Sequence, residues 1–460
     1  MSIKSHQAPF LRHRLGGWLP AEHEHLIKWT RQLVQKVEEN PQPLNCTLQQ
    51  FKDFIEGDPT VRQLFTLMFE QVPATPPYNE DPTGQPEIRS YDKMLEVLNY
   101  LMTMGPHWIY NTAGQKGLIG FPINAVLDWP MGTAAGYAAF LRQDVNAQFR
   151  NVLEAWGHYL ASPDSVSVLS SDPDGWFSPK ALDVMAQVAS EADPKNPVTF
   201  DQAFVCDPTK PAHGYQSWDD FFTRRFNPGI RRICLPEVAT VIANACESTP
   251  YRISHNVKAL DKFWIKEQPY SLKDMLGGDP LSDQFVNGTI YQAFLSALSY
   301  HRWHAPVSGT VEKIVHLPGT YYAENYWEGF ANPNIKVGPD PAAPNNSQGY
   351  ICEVATRVVV FIRADEPAIG LMAFLAVGMA EVSSCEVFVK EGQSIKKGSE
   401  IGTFHFGGST HCLIFGPQTR IAFVPQEPFE DTNVPVNSAI AVVSKPGEQE
   451  IDRIRMLQSL

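Results

Sequence analysis

A chain of 460 residues that is 43% apolar carries enough hydrophobic material for a large core and enough length for two or three domains. Its 50 acidic against 37 basic residues leave a net charge of −13, which argues against nucleic acid as a partner and against an anionic membrane as a resting place. Seven scattered cysteines (Cys46, Cys206, Cys234, Cys246, Cys352, Cys385, Cys412) show no CxxC or Cys/His metal spacing and read as free thiols in a reducing compartment.

The N-terminal MSIKSHQAPFLRHRLGGWLP lacks the apolar core of a signal peptide. Residues 1–200 then read as a helical N-terminal domain. Thr47 and Gln50 have capping-box spacing ahead of Phe51, Phe54 and Ile55, with Gly57 as a stop. Met94, Leu95, Leu98, Leu101 and Met102 recur at helical spacing, as do Leu141, Val145, Phe149, Val152 and Trp156. The Pro-rich PATPPYNEDPTGQPE at 73–87, ahead of both stripes, predicts a loop. SSDPDGWFSPKAL at 170–182 partly matches a calcium loop through Asp172, Asp174 and Gly175, but Ala181 stands where the bidentate Glu belongs. Two readings stand: a calcium ion, or a helix–helix turn with Ser178 capping the next helix.

From residue 201 onward short β-rich runs (TVIANA, TVEKIVHL, RVVVFIRA, AFLAVGMAEV, RIAFV, AIAVV) alternate with Gly, Pro and Asn. The expected fold class is α+β, with the active site in a catalytic domain spanning 201–460. The apolar run from Ala368 to Ala380 is thirteen residues, too short to cross a bilayer, and predicts a buried strand. A cytoplasmic protein without membrane insertion is the expectation.

Two stretches carry chemistry. In FVKEGQSIKKGSEIGTFHFGGSTH (388–411), Gly392 and Gly398 punctuate strands as in biotinyl and lipoyl carriers, but Lys396 and Lys397 precede the glycine turn instead of sitting on it. The same stretch holds Gly408-Ser409. A serine hydroxyl can attack the preceding carbonyl when that residue is glycine, which has no Cβ in the way and tolerates strained backbone. The resulting ester can eliminate to dehydroalanine and hydrolyse to a pyruvoyl group. Taken alone, GGST reads as an ordinary turn, and the rest of the chain has to decide between the two. The second stretch, YHRWHAPVSGTV at 300–311, places His301 and His304 three apart, a candidate acid–base pair. On a straight strand they face opposite ways, so a bulge or bend is needed to bring them to one site. Trp303 between them is a candidate to stack on an aromatic substrate, or a core residue.

SWDDFFTRRFNPGIRRI (217–233), YHRWHAPVSGTV, LPGTYYAEN (317–325) and EIGTFHFGGST (400–410) occur in the order found in phosphatidylserine decarboxylases, and the resemblance covers roughly residues 215–445. The front half, including GWLP at 17–20 and FKDFIEGDPTV at 51–61, resembles the fungal members of that superfamily that act on free L-tryptophan. The resemblance implies self-cleavage between Gly408 and Ser409, into chains 1–408 and 409–460 that stay associated, with Ser409 becoming the pyruvoyl cofactor. It implies His304 as the base of self-cleavage and His301 as the manager of the proton in decarboxylation. The family places an Asp upstream, where this chain reads IANACESTP (242–250), with Cys246 at that position and Glu247 beside it. Glu247 is expected either to orient His304 or to be a solvated surface residue. LSALSYHR (295–302) lacks the Pro, Arg and Asp of the phospholipid enzymes' LSPRDYHR, which favours a free aromatic amino acid over phosphatidylserine. A phosphatidylserine decarboxylase and a non-cleaving binding homologue remain the alternatives, and a homodimer is among the expected assemblies.

Overall fold

In the computed structural model, residues 23–76, 78–79, 86–108, 120–191, 195–261, 270–296, 298–327, 329–330, 347–381, 384–406, 409–425, 429 and 432–445 are described. GWLP and Gly408 lie outside them.

The front half is helical: α1 (His23–Glu39), α2 (Cys46–Gly57), α3 (Pro59–Glu70), α4 (Tyr91–Leu101), α5 (Pro122–Met131), α6 (Ala134–Phe140), α7 (Gln143–Leu160) and α8 (Pro179–Ser190). The start of α2 differs from the capping-box expectation. Its cap is Asn45, two residues before Thr47, whose side chain accepts from the Leu48 N–H. Asp58 caps α3 with Pro59 at its first position, and Ser90 caps α4. Leu48, Phe51 and Ile55 of α2 are buried, and Phe51 meets Phe65 and Phe149 edge-on at 5.7 and 5.0 Å. Each such ring contributes about 1.5–3 kcal/mol by leaving water. The helical spacing of Val145, Phe149, Val152 and Trp156 is therefore a core stripe of α7, whereas Leu141 ends α6 and is exposed.

Short helices α9 (Phe200–Ala203) and α10 (Trp218–Phe222) lead into the β-rich half. Its strands are β1 (Val241–Ala243), β2 (Thr249–His255), β3 (Thr289–Leu295), β4 (Arg302–His304), β5 (Gly309–Leu317), β6 (Arg357–Ala364), β7 (Leu371–Gly378), β8 (Ser384–Val387), β9 (Ser394–Ile395), β10 (Glu400–His405), β11 (Ser409–Phe415), β12 (Ile421–Phe423) and β13 (Ala439–Val443). A seven-stranded sheet runs β2-β3-β11-β7-β6-β5-β9, and two three-stranded sheets run β4-β10-β8 and β1-β13-β12. Its paired strands are antiparallel. The apolar run ending at Ala380 supplies β7, buried at every position. The fold is α+β as expected, but its two halves share one hydrophobic core. No helix among the described residues is long and apolar enough to cross a membrane.

Candidate active site

Ser409 opens β11, the third strand of the large sheet, where it pairs with Leu295 of β3 on one side and Gly378 of β7 on the other. β10 delivers the chain to this point from the small sheet. Just before the two glycines, Phe406 adopts φ +78°, a left-handed conformation that a side chain rarely takes. Its ring lies against α7 where Gly157 leaves room: a Cβ there would stand 2.9 Å from Cε2. His405 is held on both sides, Nδ1 to Asp219 of α10 at 2.8 Å and Nε2 to Glu386 of β8 at 2.9 Å. The backbone leading to Gly408 is thus pinned from the helical half and from the sheet.

The two histidines of YHRWH share no partner in the contacts they make. His301 is fully buried and stacked on Phe222 of α10 at 4.1 Å, and the backbone of Ser296, the residue after Leu295, acts electrostatically on its ring. Burial and the neighbouring Arg224 hold it neutral, well below the usual histidine range. Arg224 in turn donates to the carbonyls of Leu298 and Ser299. These contacts explain why SWDDFFTRR and YHRWH occur together: one segment packs and caps the other. A register shift lies between Glu400 and Gly402 of β10, on the strand facing β4.

His304 uses both ring nitrogens, Nδ1 with the Gly398 carbonyl and Nε2 with the Tyr300 hydroxyl, each at 2.8 Å. Because a carbonyl only accepts, Nδ1 carries the proton and Nε2 is the basic nitrogen, taking the Tyr300 O–H. Burial lowers its pKa below the ordinary value, which keeps it neutral.

The structure corrects the expectations for Glu247, Trp303 and the aspartates. Glu247 is neither solvated nor bonded to His304. It is buried, and its carboxylate takes a bidentate Arg231 (Nη2–Oε1 2.6 Å), the Asn433 amide at 2.7 Å and the Val436 N–H at 2.8 Å. The Gly398 carbonyl occupies the orienting position that had been expected of Glu247. Cys246 is buried and its thiol is pushed up by desolvation, so it offers no carboxylate-like charge. Trp303 takes the core position that was its other reading: it is fully buried against Phe404 and Phe374, in a slot opened by Gly402 of the facing strand. Asp172 accepts from the Ser170 hydroxyl, while Asp174 pairs with His107 at 3.4 Å. Their carboxylates serve different partners, and Ser178 caps α8. Among the described residues the group of three metal-capable side chains is instead Asp201, Cys206 and His213, joined by contacts of 3.5 and 3.3 Å to one Asp201 oxygen. Lys397 is not presented as a carrier lysine either; its ammonium is capped by the carbonyls of Leu235, Val238 and Val241.

Three residues near Ser409 escaped the sequence reading. His411, two positions along β11, is buried with neither ring nitrogen bonded among the described residues, and burial lowers its pKa to about 3. Tyr322 and Glu381 are buried as well. Position in LPGTYYAEN was a signal for Tyr322; nothing marked Glu381.

Profiles of phosphatidylserine decarboxylases match residues 45–185 and 218–437. An L-tryptophan decarboxylase of Psilocybe cubensis is 37% identical over 404 residues, covering 86% of this chain and 86% of the relative. The chain belongs to the phosphatidylserine decarboxylase family. It is also 43% identical to decarboxylase iboD of Amanita muscaria (strain Koide BX008) over 330 residues, 71% of this chain and 92% of that one. Phosphatidylserine decarboxylase proenzyme 2 of Oryza sativa subsp. japonica is 31% identical over 266 residues, 58% of this chain but 36% of its own length. The family places a decarboxylase on this fold, and its tryptophan-acting relatives match the helical front half as well as the sheets.

Proposed function

We propose that the chain is a pyruvoyl-dependent decarboxylase of a free aromatic L-amino acid, L-tryptophan foremost, matured by self-cleavage between Gly408 and Ser409. The observation that carries this reading is the setting of Ser409. It begins a central strand clamped on both sides, three residues after a left-handed Phe406 and four after a doubly anchored His405. A carbonyl made from Ser409 fits there, because β3 and β7 continue to hold the new chain end after the bond breaks. That group supplies an electron sink for the pair left when carbon dioxide departs.

The protein's own residues do the rest. His304, with Nδ1–H fixed on the Gly398 carbonyl, presents Nε2 as the base for the Ser409 hydroxyl once Tyr300 yields its hydrogen bond. His301, neutral and stacked on Phe222, is the group assigned to managing the proton at the substrate's Cα. The burial of His301 keeps water from its side of the reacting centre, and His304 is half-buried. The relatives named for L-tryptophan align over 86% of the chain in one case, which favours that amino acid over a phospholipid.

The test is the denatured intact mass of the purified protein. Two species are expected, the smaller matching 409–460 and about 17 Da lighter than a serine-started chain. Ser409→Ala and His304→Ala are expected to stay as one chain, while His301→Ala cleaves but decarboxylates tryptophan slowly. A Ser409→Ala protein that is cleaved and active would overturn the mechanism.

A further inference from the structure

Helix α5 begins at Pro122 with no side-chain cap of its own. Its first N–H groups are met instead from the β-rich half, where one Glu381 oxygen accepts from Ile123 at 2.5 Å and from Asn124 at 2.9 Å. Glu381 lies three residues beyond Gly378, the partner of Ser409, after a left-handed turn at Ala380 (φ +54°). The Ala380 N–H is bonded to the Tyr321 carbonyl at 3.0 Å, which brings Tyr322 alongside. Three residues along an extended chain span at most about 10 Å and the cross-strand step from Gly378 to Ser409 adds about 5 Å, so this corner stands within about 15 Å of Ser409.

Within that corner four buried polar atoms have no hydrogen-bond partner among the described residues: the second oxygen of Glu381, the Tyr322 hydroxyl, and both amide atoms of Asn124. Leaving such atoms unpaired forfeits the hydrogen bonds they had with water in the unfolded chain. A cost repeated at one spot, on three elements that converge beside the reacting residue, marks groups reserved for a ligand. Its charge is also specific. Burial raises the pKa of Glu381 to about 8 against the pull of backbone N–H groups, and no cation among the described residues shifts it. A phosphodiester headgroup needs an Arg or Lys. A neutral carboxyl beside a phenol and a carboxamide instead matches an uncharged N–H or O–H. Tyr322 backs onto the rings of Phe149 at 5.0 Å and Phe140 at 6.2 Å, which makes that wall aromatic and rigid.

We propose that Asn124, Tyr322 and Glu381 form the substrate side-chain subsite, assembled jointly by α5 of the helical half and the turns beside Ser409, and that it receives an uncharged N–H-bearing ring such as an indole. This rests on Ser409 as the reacting residue. It gives the helical half a direct part in substrate choice.

Tyr322→Phe and Glu381→Gln decide it, the latter keeping an oxygen for the α5 N–H groups. A hydroxyl left unpaired in the free protein costs stability, so its removal is expected to leave Tm unchanged or raise it. At the same time kcat/KM for tryptophan falls roughly tenfold or more, and the preference for tryptophan over phenylalanine narrows. An unchanged kcat/KM and preference in Tyr322→Phe would overturn the subsite, as would a parallel loss of Tm and activity, which marks a structural hydroxyl. Stabilisation of the protein by added tryptophan is read on the same samples. A wild type that stays uncleaved yet is stabilised by tryptophan, with that shift lost in both variants, would sink the self-cleavage reading and keep the subsite. A cleaved, active wild type with indifferent variants would do the reverse.

Discussion

His405 stands between two carboxylates, with its ring nitrogens 2.8 Å from Asp219 and 2.9 Å from Glu386. Burial alone would lower its pKa, but the hydrogen bonds and charges of those two partners outweigh burial and raise it. A raised folded value means that the folded state holds the proton more tightly than the unfolded chain. The stabilisation is complete below the ordinary histidine value of about 6.5 and disappears as pH climbs through the raised folded value. Glu353 and Glu381, both raised to about 8 by burial, act in the same direction, so the wild type alone does not isolate the histidine. The difference in Tm between wild type and His405→Gln does. It is expected to be largest near pH 6 and to shrink toward pH 9, and a difference that is flat across that range would show that His405 is not an imidazolium in the fold.

At the scale of elements, the contact between Phe406 and α7 links the helical half to the bond proposed to break. Gly157 is a poor helix residue, costing about 1 kcal/mol relative to Ala, and its place in α7 is explained by the Phe406 ring. Gly157→Leu is expected to preserve the helix and move that ring. Because a misplacement near 1 Å can slow a reaction by about a hundredfold, maturation should slow at least roughly tenfold with little change in helical signal. Maturation at the wild-type rate would remove α7 from the account. Most helices and strands were readable because burial imposes periods of 3.6 and 2 on the chain, as in α7 and β7. The candidate site was legible where the chemistry proposed for it is written in side chains, at Ser409 and the two histidines. It was not readable where partners are distant or belong to the backbone. Arg231 and Asn433, which satisfy Glu247, lie 16 and 186 residues away from it. Gly398 orients His304 through a carbonyl, which every residue possesses. The burial of Trp303 depends on Gly402 across the sheet, and Glu381 is defined by the helix it caps.

For the whole molecule, cleavage at Gly408-Ser409 would cut the chain within one cooperative body. The segment from 409 contributes β11, paired along all seven of its residues with β3 and again with β7. It also contributes β12 and β13, and β13 pairs with β1. Cys412, Leu413, Ile414 and Phe415 are fully buried in the core that the helices share. Releasing this segment would expose two strand edges and a run of apolar side chains at once, a loss that the remaining sheet has no means to repair. The cleaved protein is therefore expected to migrate as one species under native conditions, to yield the 409–460 chain only in denaturant, and to unfold in a single transition. A small chain that separates by dilution alone would mean that β11 does not hold its place between β3 and β7 after cleavage. The cradle proposed for the Ser409-derived carbonyl would then be lost with it.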